Sequence, residues 1–385
     1  MKWLLCLGCC GVFALPSTAI AGDAGRFRDD VAVLLGEQDR SAAGRVDALE
    51  HQKSMLASIN KNYKDAKKFQ PAVSNLPAMT EYVLSGGNPE LAERFLKGDG
   101  IPAEGAAILS AAVHFMRGER DEAAKLLTGT DPLHLPPGLI GRVALMQAML
   151  LADDDHRKLE LLDIAIAAMP GTLVEESALR RLVAATAAAN QVSHFWSSAA
   201  RYVRRFNRSP FGTEFTGSLI DAIVSFEKRE RGAGRREIEL LFNELPANRR
   251  RAAYLNLART SFAAGFSGLA MFASRRAGRL SLEGSPEKAS SILYANLYGI
   301  ASEEADQSTR QLESLDALVL ARRERLLLEA ARSVARRIRA PMAESLDVHT
   351  AAAEFDHESP ELNAVESSAT AALLAANRLL PDAIP

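Results

Sequence analysis

Three groupings in this 385-residue chain have the residue types and spacing that chemistry uses. Asp153-Asp154-Asp155-His156 is a dense run of metal-ligating side chains, and Ser285-Pro-Glu-Lys288 has the form of a serine nucleophile with a lysine base three residues on. Glu175 and Glu303 are carboxylic acids of the kind a glycan-acting enzyme would need in a cleft. Each grouping also has a plainer account. Three acids at a helix N-terminus complement the positive end of the helix dipole. A serine followed by proline is a helix cap and first turn. Glu175 stands three residues after Thr172 and completes a capping box, while Glu176 pairs with Arg180 at i, i+4.

The seven histidines, His51, His114, His134, His156, His194, His349 and His357, include no i, i+4 pair able to present two nitrogens to one metal. There is no HExxH, no P-loop and no GxSxG, and Gly98-Asp-Gly100 falls between helices without the strand a dinucleotide site requires. The expectation is a protein that is not an enzyme and uses no cofactor and no metal.

Arginine offers more. Arg201, Arg204 and Arg205 lie off the apolar stripe made by Phe195, Ala199, Tyr202 and Phe206. Arg322, Arg325, Arg332, Arg336 and Arg339 recur at steps of three, four and seven farther on. A guanidinium stays charged and grips carboxylates with two parallel hydrogen bonds, which suits docking of an acidic partner segment. These eight are the candidate partner-binding residues.

The elements that position them follow a rhythm of prolines. Pro71, Pro102, Pro137, Pro170, Pro210, Pro246 and Pro286 recur about every 36 residues, each at or near the start of an apolar-periodic segment. Proline suits a first helical turn, whose N–H has no internal partner. A period in the mid-thirties is that of stacked helical hairpins of the tetratricopeptide type. Ala111, Ala112, Phe115, Gly118, Ala123 and Ala124 resemble one such hairpin in detail, with small residues where two helix axes approach. The expected fold is all-α: a right-handed solenoid of tetratricopeptide-like hairpins with a long C-terminal-side helix.

Helices are expected over residues 72–84, 90–97, 103–116, 121–127, 138–151, 156–169, 172–190, 193–206, 213–226, 235–245, 247–264 and 268–280, and Ser285-Pro286-Glu287 opens a last unit that runs through Ile300. One long helix is expected over 41–69, with Val46, Leu49, Leu56, Ile59 and Tyr63 inward, and another over 308–339, with Leu315, Val319, Leu327, Ala331, Val334 and Ile338 inward.

Residues 1–21 read as a secretory signal: Lys2, an apolar stretch over 3–15, and the small-x-small site Ala19-Ile20-Ala21, with cleavage after Ala21. Cleavage at Leu7-Gly8-Cys9 with acylation is the weaker alternative, since it leaves almost no apolar region. Cys6, Cys9 and Cys10 all fall in this leader, so the exported chain would carry no disulfide and hold together by packing. The expected organisation is a leader over 1–21, an N-terminal helical region over 22–70, repeats over 71–301, the long terminating helix over 302–341, and a linker with a weak C-terminal helix over 342–385. No later segment is apolar enough to span a membrane. A formal charge of −2 points to no nucleic acid.

Particular stretches resemble a known family. Pro170-Gly-Thr-Leu-Val-Glu-Glu-Ser-Ala-Leu-Arg-Arg181, Tyr202-Val-Arg-Arg-Phe206, Ser209-Pro-Phe211 with Phe215, and Leu84-Ser-Gly-Gly-Asn-Pro89 are similar to segments of the MotC family of periplasmic flagellar motility proteins. The resemblance covers residues 72–346, departs at Asn207 where a proline is expected, and is loose in the N-terminal helix and past Met342. It implies a periplasmic, non-enzymatic protein that binds, stabilises or positions the periplasmic part of the stator subunit MotB. The alternative is a periplasmic helical-repeat scaffold for cell-envelope proteins or peptidoglycan-acting enzymes.

Overall fold

The structure is a computed structural model that describes residues 18–64, 73–152, 156–229 and 234–339, with only the backbone of 18–24. Most of the expected leader, Pro71, the run Asp153, Asp154 and Asp155, and the linker with its weak C-terminal helix expected over 342–385 lie outside those residues. The described residues form seventeen α-helices and short 3-10 turns, with no strand among them. The chain divides into two units at Pro246/Ala247.

The first unit holds α1 (Thr18–Ala42), α2 (Ala48–Tyr63), α3 (Leu76–Leu84), α4 (Pro89–Leu96), α5 (Ala103–Met116), α6 (Arg120–Leu126), α7 (Pro137–Leu150), α8 (His156–Ala168), α9 (Leu173–Ala188), α10 (Val192–Phe206), α11 (Gly212–Arg229) and α12 (Arg235–Asn243). Neighbours in sequence pack as hairpins: α5 on α6, α7 on α8, α8 on α9, α9 on α10. The second unit continues the pattern with α13 (Ala247–Ala263), α14 (Ser267–Arg279), α15 (Pro286–Asn296), α16 (Ala305–Glu313) and α17 (Arg322–Arg339).

The proline rhythm marks helix starts among the described residues. Pro137 and Pro286 occupy the first helical position of α7 and α15, Pro102 caps α5, and Pro170, Pro210 and Pro246 stand within three residues of α9, α11 and α13. Ala111, Ala112 and Ala123 are wholly buried where α5 meets α6, and the left-handed Gly118 (φ +81°) makes the turn between them. A residue with a side chain resists that backbone conformation.

Two elements differ from the sequence expectation. The expected helix over 41–69 is a short α2 preceded by a separate α1, so Val46 is 92% exposed and Leu49 is also exposed. The core positions they were assigned belong instead to Phe27, Val31 and Leu34 of α1, while Ile59 and Tyr63 are buried as expected. The reason lies in α1 itself: its inward face continues as Gln38 and Ser41, both buried, and polar residues at buried positions weaken a hydrophobic period.

The second difference is in the expected helix over 308–339, which is interrupted by a 3-10 turn (Ala317–Val319), leaving the C-terminal-side helix α17 eighteen residues long. Its buried face is Glu324, Leu328, Ala331 and Ala335, one position round the helix from the face expected. Val334 and Ile338 are therefore exposed, while Ala331 alone belongs to both faces. Asp316 caps the 3-10 turn by accepting Leu318 N–H at 2.8 Å, a local bond that competes with continuing the helix.

Candidate partner-binding surface

Two adjacent glutamates at the start of α9 organise the basic residues around them. Glu175 and Glu176 are both fully buried. The N-terminal turn explains part of this: Thr172 Oγ1 accepts Glu175 N–H, and Glu175 Oε2 accepts Gly171 N–H at 2.5 Å, a variant of the expected capping box. α10 supplies the rest. Arg201 donates to Glu175 Oε1 at 2.7 Å from Nε and lies 2.6 Å away at Nη2, and Arg205 Nη2 stands 3.4 Å from Oε2. Glu176 accepts Tyr202 Oη at 2.7 Å, Ser209 Oγ at 3.2 Å and Arg180 Nε, the last being the expected i, i+4 pair. Burial, together with the neighbouring Glu176 carboxylate, pushes the Tyr202 phenol well above its ordinary pKa. A buried carboxylate with a full set of donors locks helices in register, and removing one partner exposes the cost of desolvation.

Arg201 and Arg205 are thus structural clamps of the first unit rather than a free basic face. Arg204, between them in sequence, points outward and is exposed. In the second unit the same sorting applies. Arg332 crosses to the end of α16 and donates to the carbonyl oxygens of Leu312, Glu313 and Leu315 at 2.8 to 3.0 Å. Those are the unsatisfied carbonyls a helix C-terminus leaves, so this guanidinium is a cap. Arg339 pairs with Asp306, and Arg336 donates to the backbone of Arg332 at 3.4 Å. Arg322 and Arg325 engage no carboxylate among the described residues. Of the eight candidate arginines, Arg204, Arg322, Arg325 and Arg336 engage no carboxylate among the described residues.

Ser285, Lys288 and Glu175, weighed for catalysis, have structural roles. Ser285 Oγ accepts Lys288 N–H at 3.2 Å as the cap of α15, and Lys288 Nζ turns to Glu283 at 2.7 Å. Glu175 is sealed under arginines, and Glu303 is exposed in the second unit. No group of three metal-ligating side chains converges among the described residues. No helix among them is long and apolar enough to cross a membrane.

A cavity of about 230 Å³ opens in the first unit where α1, α3, α5, α7 and α9 converge. Leu84, Phe115, Met146, Met149 and Leu173 give it apolar walls, and Arg142 and Arg181 bring charge to it. Arg142 is only 8% exposed and its Nε has no hydrogen-bond partner. Burial holds its pKa below the usual guanidinium value, with Glu81 and Asp39 opposing that shift, and burial in turn raises the carboxyls of both acids. Arg181 spends one nitrogen on Ser177 and has no carboxylate in contact among the described residues; burial and the neighbouring Arg180 depress it too. An under-satisfied buried guanidinium beside soft apolar walls is suited to a carboxylate carried on an apolar segment. Sequence reasoning passed over Arg142. Its signal was available: a lone charge inside the apolar run 139–151.

The profile of the family described as chemotaxis protein MotC matches residues 33–383. The chain belongs to the MotC family. Its match to a chemotaxis protein MotC from Rhizobium meliloti (strain 1021) is 29% identical over 320 residues, covering 80% of this chain and 71% of that protein. No solved structure matches the chain. The MotC match begins inside α1 and runs past Met342, so it takes in both ends where the sequence resemblance was loose. The Glu176–Tyr202 and Glu175–Arg205 contacts fall within the stretches that carried that resemblance.

Proposed function

We propose that this MotC-family chain is an exported, non-enzymatic motility protein that binds the periplasmic part of the flagellar stator subunit MotB and holds it in position. Family membership supports the motility role. The observation that carries the binding role is the cavity over Arg142 and Arg181, with Phe115, Met146 and Met149 beside it. It is built to receive an apolar side chain and a carboxylate together, the pattern of an anchor residue in a protein interface. Methionines let such a surface adapt to its partner.

The test is binding of the exported chain to a purified periplasmic fragment of MotB. Arg181→Gln, which removes one charge-assisted contact, and Met149→Glu, which puts a charge into the apolar wall, are each expected to weaken it by about tenfold. No binding by the wild-type chain would overturn the proposal. Deleting the gene is expected to leave flagella assembled and swimming impaired.

A further inference from the structure

The last helix of the second unit exposes an apolar stripe. On α17, Leu326, Val334 and Ile338 are 43%, 46% and 52% exposed, and Leu327 is half-buried. Leu327, Ala330, Val334 and Ile338 follow steps of three and four, so they form one seam beside the buried face of Glu324, Leu328, Ala331 and Ala335. The terminal element of a helical array needs a polar outer face or a further layer, because its apolar seam otherwise meets water. Arg323 and Arg337 edge this seam seven-residue steps either side of Ala330, and neither has a carboxylate partner among the described residues.

We propose that residues 362–380 of the same chain dock along this seam of α17 as its covering layer. Leu362, Val365, Ala369, Leu373, Ala376 and Leu380 recur at steps of three and four, the pattern that lays one apolar edge against another. The lengths match. Nineteen residues of helix and the eighteen of α17 both extend about 27 to 29 Å. The intervening residues 340–361 can span at most about 70 Å, more than twice what a return along α17 requires.

Charge complements as well. α17 carries seven arginines against two glutamates, whereas the 46 residues after Arg339 hold eight acids and one arginine. Glu358 and Glu361 immediately precede the docking segment and Glu366 lies near its start, within reach of Arg323 or Arg337. A second copy of the chain would instead bring the same cations to the same seam. The MotC match extends to residue 383, so the segment belongs to the family pattern. The proposal concerns the second unit and does not rest on the MotB reading.

The cysteines offer a clean probe, since the only three are Cys6, Cys9 and Cys10. With these replaced by serine, single variants Val334→Cys and Ile338→Cys are labelled with a maleimide in the full chain, with Leu318→Cys (84% exposed) as the open reference. Docking predicts labelling about tenfold slower at the two seam positions than at the reference, since local opening must come first. Replacing Leu373 and Leu380 by Asp is expected to restore the reference rate with helical content otherwise unchanged. A paired Val334→Cys and Leu373→Cys variant is expected to close a disulfide within one chain. Seam labelling as fast as the reference overturns the proposal. So does slow labelling that survives the two aspartates; a doubled mass in light scattering would then assign the seam to a second copy.

Discussion

Asp39, near the end of α1, accepts the backbone N–H of Leu173, the first residue of α9, at 2.9 Å across 134 residues of sequence. One carboxylate therefore fastens the N-terminal helix to a helix start deep in the repeats, where the dipole and the free N–H groups favour an acid. Burial is the largest influence on this carboxyl and raises its pKa, against the Leu173 N–H and the Arg142 charge. Tyr63 Oη donates to Asp30 at 2.9 Å and Gln38 Nε2 donates to Ser85 O at 3.2 Å, so α1 is held by polar contacts as well as by Phe27, Val31 and Leu34.

The raised carboxyl gives a pH dependence with a definite sign. A group whose folded pKa lies above its unfolded value contributes stability that is complete below about pH 4 and is lost as pH rises through the folded value. Urea unfolding of the wild type and of D39N, which keeps an oxygen for Leu173, is expected to show the wild type losing ground to the variant as pH rises above about 4. A stability difference that does not change with pH would remove the effect. Glu81 is raised by burial in the same way and adds in the same direction.

The buried glutamates are expected to dominate the stability of the first unit. Glu176→Ala strands Tyr202 Oη and Ser209 Oγ, leaves Arg180 only its 3.5 Å pairing with Glu214, and should cost about 3 to 5 kcal/mol. Tyr202→Phe removes one hydrogen bond and should cost about 1 to 3 kcal/mol. Chemical denaturation measures both, and a Glu176→Ala cost below that of Tyr202→Phe would contradict the network.

Gly44 and Gly118 provide a matched pair. Both have left-handed backbones, at φ +86° and +81°. A Cβ on Gly44 would sit 2.6 Å from Arg208 O, whereas one on Gly118 meets nothing within 4 Å. Gly118→Ala is expected to cost about 1 to 2 kcal/mol from conformation alone. Gly44→Ala should cost about 1 to 3 kcal/mol more, because backbone cannot move aside as a side chain does. Equal thermal unfolding midpoints for the two variants would refute the close approach.

The arginines should separate into two classes by melting temperature. Arg332→Ala leaves three carbonyl oxygens of the α16 terminus without their donor and should cost about 2 to 3 kcal/mol. Arg204→Ala and Arg322→Ala, both at exposed sites, should stay within about 0.5 kcal/mol of wild type. Arg332→Lys is expected to rescue poorly, since an ammonium cannot span carbonyls as a guanidinium fork does.

Most of the helices were legible in the linear order of residues, because helix formation uses local signals. The six described prolines of the rhythm, the Thr172 and Ser285 caps and the Phe195–Ala199–Tyr202–Phe206 stripe each act within a few residues, and each stands where expected. The fate of the charged side chains was not legible. Arg201, Arg204 and Arg205 look alike in sequence, yet two close on Glu175 of another helix and one faces water. Likewise α17 turned by one position to bury Glu324 against Arg259 at 2.9 Å and Ser290 at 2.8 Å, an arrangement no hydrophobic period contains. Such outcomes depend on which helices become neighbours, for an ion pair between residues 26 or 65 apart forms only after packing has brought the two helices together and buried the carboxylate. Periodicity along the chain determined the elements; desolvation between them decided which charges became structure and which remained available to a partner.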